Sequence, residues 1–147
     1  MSDKQRLRLW LRLLSCATAI EKKARAMLIA RFGTTLPRFD VMAALDRAPE
    51  GLTMGALSEF LLVSNGNVTA IVARLVEDGL VARAQDKSDR RVLRVKLTAK
   101  GRRDFRAMAA AHEGWIEQLL GDFPDTEINP MLSGLGRIKT SIERSGL

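Results

Sequence analysis

Residues 53–97 read TMGALSEFLLVSNGNVTAIVARLVEDGLVARAQDKSDRRVLRVKL, and this stretch decides the fold. Thr53 is a helix-capping residue before one short helix, and Ser64 caps the next, whose apolar positions recur every three or four residues. Residues 81–84 and 92–97 are alternating or β-branched and are separated by a charged loop, which is typical of a hairpin. Together with the helix that precedes it, this order predicts a winged helix-turn-helix.

Long helices are predicted on both sides of this unit. Residues 4–32 carry apolar side chains at helical spacing and Gly33 ends that helix, while the capping candidates Thr34-Thr35 and then Pro37 begin the next. Thr98 caps a fifth helix, and a sixth follows a break at Gly121-Asp122-Phe123-Pro124. The first and last helices have apolar stripes that the winged helix does not use, so we expect them to pair with a second copy as a two-fold homodimer.

The predicted fold class is therefore mainly α, a winged helix-turn-helix with long terminal dimerisation helices. We interpret the 147 residues as a single domain. Within it, residues 1–33 and 104–147 are the predicted dimerisation helices, and residues 34–103 are the predicted DNA-binding region.

The composition excludes several classes of protein. With 46% hydrophobic and 28% charged residues, the chain is globular rather than disordered. Within one chain, one His and one Cys cannot form the usual zinc site or a disulfide, and we predict neither metal nor cofactor. The sequence shows no apolar leader and no run of membrane-spanning length, which indicates a cytoplasmic protein. The lack of phosphate-loop and dinucleotide motifs argues against an enzyme, so we predict no catalytic residue.

The net charge of +7 is concentrated in two blocks. Residues 1–38 hold nine basic and two acidic side chains, and residues 83–103 again hold nine and two. Concentrated positive charge indicates an anionic partner, of which nucleic acid is the commonest. The alternative for either block taken alone is a solvated helix face.

Several segments together resemble the MarR family of bacterial transcriptional regulators, and the resemblance covers essentially the whole chain. They are LPRFDV at residues 36–41, EDGLV at 77–81, DRR at 89–91 and LTAKG at 97–101. The resemblance implies a DNA-binding regulator that leaves its operator when a small molecule binds. Because such dimers contact two half-sites about one helical turn apart, the operator is expected to be a short pseudo-palindrome.

The fourth helix is the expected recognition helix. With its apolar stripe buried, the outward positions are small or polar, which permits close approach to base edges in the major groove. The alternative is an ordinary helix whose first turn happens to be rich in asparagine. The predicted DNA-contacting residues of this helix are Ser64, Asn65, Asn67, Thr69, Ala70 and Arg74.

The charged hairpin loop is the expected wing. The resemblance implies that Arg91 enters the minor groove and that Asp89 orients its guanidinium, and Lys87 and Arg90 are placed to meet phosphates. Arg38 and Arg94 are further phosphate candidates, although their side chains could simply be solvated.

The segment SNGNVT at residues 64–69, together with HEGW at 112–115, is similar to regulators of aromatic-acid catabolism. This resemblance implies that the effector is a small anion, either an aromatic acid or its coenzyme A thioester. His112 and Trp115 fall on or beside the apolar stripe of the fifth helix, where the alternative is an ordinary core or interface histidine. The basic N-terminal block could receive the phosphates of coenzyme A or simply flank the DNA. The pocket candidates are Trp10, Arg12, Lys22, Arg25, His112 and Trp115.

The sequence thus predicts a homodimeric repressor that binds double-stranded DNA and is released by an anionic effector. One alternative is a sequence-nonspecific architectural DNA-binding protein, which shares the same electrostatics. Another is a regulator of the same family with a redox or other effector. Cys16 is the only thiol, but its apolar neighbours favour a structural cysteine.

Overall fold

The computed structural model describes residues 3–61 and 68–147. The described part is mainly helical with one small antiparallel sheet, which confirms the predicted fold class. It divides into two compact units, Met1–Glu113 and Gly114–Leu147. In chain order the elements are α1 Gln5–Phe32, α2 Leu36–Asp46, β1 Leu52–Thr53, α3 Met54–Phe60, α4 Val68–Glu77, β2 Val81–Gln85, β3 Leu93–Leu97, α5 Ala99–Leu119 and α6 Asp125–Arg144.

Local capping sets several helix boundaries where the sequence predicts them. Gly33 ends α1 in the left-handed conformation with φ 64°, which glycine adopts without a steric penalty. Thr35 begins α2, and its hydroxyl oxygen accepts a hydrogen bond from the Arg38 N–H at 3.3 Å. Thr53 begins α3 in the same way, accepting from the Ala56 N–H at 3.1 Å.

The apolar stripe of α4 packs into the first unit as predicted. Val68, Val72 and Leu75 are buried, and Ile71 is half-buried at the edge of the stripe. The described part of this helix begins at Val68, so the predicted cap at Ser64 lies outside the described residues.

The sheet has three strands in the order β1-β3-β2, all antiparallel. The predicted two-stranded ribbon is present as β2 and β3, with Val81 opposite Leu97 and Gln85 opposite Leu93. Leu52 and Thr53 add a short third strand to the other edge of β3, which the sequence analysis did not predict. A two-residue strand is too short to show an alternating pattern, and its pairing depends on residues about forty positions away.

The core of the first unit gathers side chains from α1, the winged helix and α5. On α2 the side chains of Phe39, Val41, Met42 and Leu45 are all buried. Further fully buried side chains from the other elements include Leu28, Leu57, Leu75, Val72 and Val95.

The predicted helices α1 and α6 leave much of their apolar surface exposed. On α1 the buried residues are Ala24 and Leu28, both in its last third, and α6 buries none. Pro130 lies inside α6, a position that the sequence analysis did not single out. The exposed large apolar residues of these two helices are Leu7, Leu9, Trp10, Leu11, Leu14, Ile29, Met131, Leu132, Leu135 and Ile142. Among the described residues, no helix has the length and hydropathy needed to cross a membrane.

Candidate nucleic-acid interface

The outer face of α4 presents the side chains expected of a recognition helix. Thr69, Ala70 and Arg74 are exposed, opposite the buried stripe of the same helix. The other predicted contacts of this helix, Ser64, Asn65 and Asn67, lie outside the described residues. The described face is thus small and polar, with one positive charge near its C-terminal end.

A shallow depression of about 530 Å³ lies beside this face, between α4 and the start of α2. Ala70 and Arg74 line one side, and Thr35 and Arg38 line the other. Asp78, which follows α4, also lines it and accepts a hydrogen bond from the Arg38 guanidinium at 2.7 Å. Arg38, predicted as a phosphate contact, therefore already has a carboxylate partner.

The wing is a tight loop built around Asp89. The Asp86 N–H donates to the Val92 carbonyl at 2.9 Å, and the Val92 N–H donates to the Asp89 carbonyl at 3.0 Å. The Asp89 carboxylate accepts from the Arg91 N–H at 3.0 Å and from the Arg91 guanidinium at 3.2 and 3.3 Å. These bonds with Arg91 hold the pKa of the Asp89 carboxyl below its usual value.

Arg91 reaches solvent even though it is hydrogen-bonded to Asp89. Its side chain is 92% exposed, and its backbone and side chain are both tied to the same carboxylate. The loop also carries Lys87 and Arg90, which are exposed. The arrangement presents positive charge at the tip of the hairpin.

Arg94, the second predicted phosphate contact, is bound within the wing. Its guanidinium donates to the Asp86 carboxylate at 3.0 Å and to the Gly51 carbonyl at 3.4 Å. The Ser88 hydroxyl donates to the same carboxylate at 2.6 Å. The bonds from Ser88 and Arg94 lower the pKa of the Asp86 carboxyl. The Gly51 contact links the hairpin to the loop before β1.

Sequence reasoning missed the acidic partners of Arg38 and Arg94. The partner of Arg94 could have been found from the hairpin register. Ala84 pairs with Arg94, so Asp86, two residues further on, is the diagonal neighbour of Arg94. Asp78 lies forty residues from Arg38, and no local pattern connects the two.

The predicted effector-pocket residues are spread over α1 and α5. Trp10, Arg12, Lys22 and Arg25 are exposed on α1. Arg12 lines a shallow depression of about 300 Å³ on that helix, together with Gln5, Arg8 and Leu9. Trp115 on α5 is buried.

His112 belongs to an aromatic cluster of the first unit. Its ring lies 5.0 Å from that of Phe39, which lies 5.4 Å from that of Phe105, as measured between centroids. Burial lowers the pKa of His112, since desolvation disfavours the imidazolium. The structure therefore places this histidine among aromatic side chains and favours its neutral form.

Asp40 is a half-buried carboxyl that the sequence analysis did not single out. Burial raises its pKa to about 6, the nearby charge of Glu21 on α1 adds to the rise, and Arg25 opposes it. Burial of this carboxyl beside α1, together with the charge of Glu21, therefore disfavours the ionised form of Asp40.

Two further chemical features complete the description. Cys16 is an exposed free thiol on α1. Over residues 3–61 and 68–147, no three His, Cys, Asp or Glu side chains come together as a metal site would require.

The fold and this surface define a winged-helix DNA-binding regulator. A family profile described as the MarR family matches residues 32–92. The transcriptional activatory protein BadR of Rhodopseudomonas palustris is 31% identical over 140 residues, which cover 93% of this chain and 79% of BadR. The chain belongs to the MarR family.

Solved structures agree with this assignment. A MarR family transcriptional regulator from Silicibacter pomeroyi has a TM-score of 0.82 and 35% identity, covering 97% of this chain and 99% of its own. Streptococcus pneumoniae FabT, solved in complex with DNA, has a TM-score of 0.75 and 26% identity, covering 96% and 98%. The protein is a MarR-type transcriptional regulator that binds DNA, and not an enzyme.

Proposed function

We propose that two copies of this chain form a two-fold dimer that binds a short pseudo-palindromic operator and represses transcription until a small anionic effector releases it. The proposed DNA-binding surface rests on one observation. The same compact unit contains an exposed face of small and polar residues on α4 and a solvent-exposed Arg91 on the wing. A helix of this kind suits the major groove, and an exposed arginine suits a narrow minor groove. A regulator of this kind acts where the chromosome is, so the proposed location is the cytoplasm.

The exposed apolar residues of α1 and α6 support the dimer. Trp10 is 54% exposed and Leu132 is 61% exposed in the single chain. Large apolar surfaces left open on a chain that is otherwise well packed are typical of subunit interfaces. A second copy of the same helices would cover them with two-fold symmetry.

Sequence-specific binding is tested with a duplex from the region upstream of the protein's own gene and a scrambled duplex of the same composition. Fluorescence anisotropy at about 50 and about 200 mM salt separates electrostatic from specific binding. At the higher salt concentration, we expect the protein to bind the upstream duplex at least about a thousandfold more tightly than the scrambled duplex. Equal affinity for both duplexes would instead indicate an architectural DNA-binding protein.

The direction of control has a second candidate. The relative from Rhodopseudomonas palustris is named a transcriptional activatory protein, which favours activation as the alternative to repression. Transcription in vitro from the upstream promoter distinguishes the two. Repression predicts that added protein lowers the transcript yield, whereas an increased yield would establish activation.

The proposed effector is an aromatic acid or its coenzyme A thioester. Support comes from the aromatic cluster around His112, from the buried Trp115 and from the exposed cations Arg12, Lys22 and Arg25. Calorimetric titration with benzoate, benzoyl-CoA, coumaroyl-CoA and feruloyl-CoA tests this, with coenzyme A alone as the control. We expect one acid or thioester to bind and to release the operator duplex. Failure of all of them at high micromolar concentration would reject this effector class and leave a redox or other effector.

A further inference from the structure

The turn at residues 78–80 joins the C-terminal end of α4 to β2. The Leu80 N–H donates to the Leu75 carbonyl at 2.9 Å, and Gly79 has a positive φ of 75°, so the chain reverses within one residue of the helix end. The turn therefore connects the end of α4 directly to the first strand of the wing.

The start of α5 holds the turn through its backbone. The Thr98 hydroxyl donates to the Gly79 carbonyl at 2.7 Å, and the Thr98 N–H donates to the Leu80 carbonyl at 3.0 Å. The Lys100 ammonium lies 3.5 Å from the Asp78 carbonyl. These contacts leave the Asp78 carboxylate free to face the opposite side.

On that opposite side, Asp78 contacts the start of α2. Its Oδ2 accepts from Arg38 Nη2 at 2.7 Å, and the two side chains are 47% and 22% exposed. The hydrogen bond from Arg38 is the main reason that the pKa of the Asp78 carboxyl lies below its usual value, and the charges of Arg38, Arg74 and Lys100 add to it. Asp78 is therefore ionised at neutral pH.

Each member of this pair is unfavourable for its own helix. Arg38 lies in the first turn of α2, and Asp78 follows the last residue of α4. Helix dipoles favour the reverse arrangement, with acids at N-termini and bases at C-termini. In addition, a carboxylate beside the proposed recognition helix repels DNA phosphates. Neither helix stability nor attraction to DNA accounts for Asp78.

We propose that Arg38 and Asp78 are positioning residues for DNA binding, whose ion pair fixes the C-terminal end of α4 against the start of α2 and so sets the angle of the recognition face. The pair then acts on operator affinity through geometry, while α5 holds the same turn from the other side. This inference rests on the proposed role of α4 and the wing in contacting DNA.

The change in DNA affinity caused by Asp78→Asn has opposite signs for a positioning role and for a purely electrostatic role. Asp78→Asn removes a negative charge near DNA, so electrostatics alone predicts tighter binding to every duplex. The positioning role predicts weaker binding to the operator and no loss with scrambled DNA. Glu77→Gln is the matched control, because Glu77 is the exposed neighbouring carboxylate and its loss changes the net charge by the same amount.

The experiment measures operator and scrambled-duplex affinity by fluorescence anisotropy for Asp78→Asn, Arg38→Gln and the charge-exchanged double variant Arg38→Asp/Asp78→Arg. Since the pair is partly exposed, we expect each single variant to bind the operator about two- to fivefold more weakly. The double variant should recover most of the loss, as it restores the pair and also suits both helix dipoles. Circular dichroism melts verify that each variant is folded.

Two results would overturn the inference. In one, Asp78→Asn binds the operator as tightly as the wild type or more tightly, as Glu77→Gln is expected to do. In the other, Arg38→Gln lowers the slope of log affinity against log salt by about one and the double variant binds no better, which identifies Arg38 as a phosphate contact. Failure of the DNA surface itself is recognised separately, because Arg74→Ala and Arg91→Ala would then leave operator affinity unchanged.

Discussion

Arginine side chains in the two basic blocks differ in what their guanidinium groups already bind. Arg38 and Arg94 donate to carboxylates that come from other elements or from the far side of the hairpin. Arg91 donates to a carboxylate two residues away and still keeps its side chain 92% exposed. Only the last arrangement orients the guanidinium without removing it from solvent.

The first prediction concerns Arg91. Arg91→Ala is expected to cost roughly 1–3 kcal/mol of operator binding, the usual loss for an arginine that reads a groove. Anisotropy titrations of the operator and scrambled duplexes measure this cost. Arg137→Ala on α6 removes the same charge outside the winged helix and serves as the control. An unchanged operator affinity for Arg91→Ala would show that the wing assignment is wrong.

The second prediction concerns Asp40, whose pKa is raised from 3.8 to about 6. Between these values the folded protein binds more protons than the unfolded chain, so stability falls as pH rises through this window. Asp40→Asn should therefore melt at a higher temperature than the wild type at about pH 7.5, and the difference should vanish below about pH 3.5. Thermal melts across this range measure the effect.

The controls for this measurement follow from the other titrating groups. His112 has a lowered pKa and so contributes a stability change of the opposite sign, but it is present in both proteins and cancels in their difference. Asp46→Asn removes one acid from the last position of the same helix. If it stabilises the protein as much as Asp40→Asn does, the effect is one of net charge and not of the burial of Asp40.

At the scale of the elements, the sequence predicts what is encoded within a few residues. The boundaries at Gly33, Thr35 and Thr53 follow from local capping chemistry and agree with the structure. Strand β1 and the partner of Arg38 could not be predicted, because both depend on contacts between segments about forty residues apart. The candidate site shows the same difference between local and long-range information. The exposed face of α4 follows from the periodicity of its sequence, whereas the position of the C-terminal end of α4 does not.

The exposure of Leu93 shows a related limit. Alternation places it on the same face of β3 as Val95 and Leu97, which are buried, yet Leu93 is 50% exposed. It pairs with Gln85 at the end of the hairpin nearest the wing loop. Periodicity therefore identifies a face of a strand, whereas burial also depends on how far the core extends beneath it.

The third prediction tests the junction between α5 and the 78–80 turn. A Cβ on Gly101 would lie 2.0 Å from the Leu80 carbonyl oxygen, so Gly101→Ala must displace the start of α5 from this backbone. Such overpacking should cost at least about 2 kcal/mol of the free energy of unfolding. Denaturant unfolding curves measure this change.

Gly114→Ala is the matched control in the same helix. Apart from the adjoining backbone of α5 itself, no atom of the described residues lies within 4 Å of the added Cβ. The substitution should therefore stabilise α5 by about 0.5–1 kcal/mol through helix propensity. Opposite signs for the two alanines are expected. Equal effects at the two positions would contradict the close approach at Gly101.

At the scale of the whole molecule, charge and apolar surface are distributed over different helices. The basic residues 83–103 cover the wing and the start of α5, at the proposed DNA surface. The basic residues 1–38 lie mainly on α1, which also carries exposed leucines and a tryptophan. The charge of residues 83–103 is consistent with DNA as an anionic partner. The charge of residues 1–38 is consistent with a second anionic partner, such as the proposed effector.

The fourth prediction tests the dimer. Leu132→Glu changes a residue that is 61% exposed in the single chain, so it should disturb the monomer little and weaken association strongly. Sedimentation equilibrium measures the dissociation constant. Ser141→Glu adds the same charge nine residues later, on the opposite side of α6, and should leave the dimer intact. Deleting residues 125–147 should abolish it, whereas a truncated monomer that still binds a full palindrome tightly would contradict the proposal.

The length of α1 has a consequence for how the protein behaves at low abundance. The helix has 28 residues and extends about 42 Å, yet its buried residues begin only at Ala24. In the proposed dimer, contacts with the second copy stabilise the first two thirds of α1. The folded fraction of this segment therefore depends on the protein concentration. At low copy number the unpaired chain would present a leucine-rich, frayed helix to cellular proteases. Protein present at concentrations below the dissociation constant of the dimer would thus be degraded quickly. Regulation would begin only above a threshold concentration of the protein.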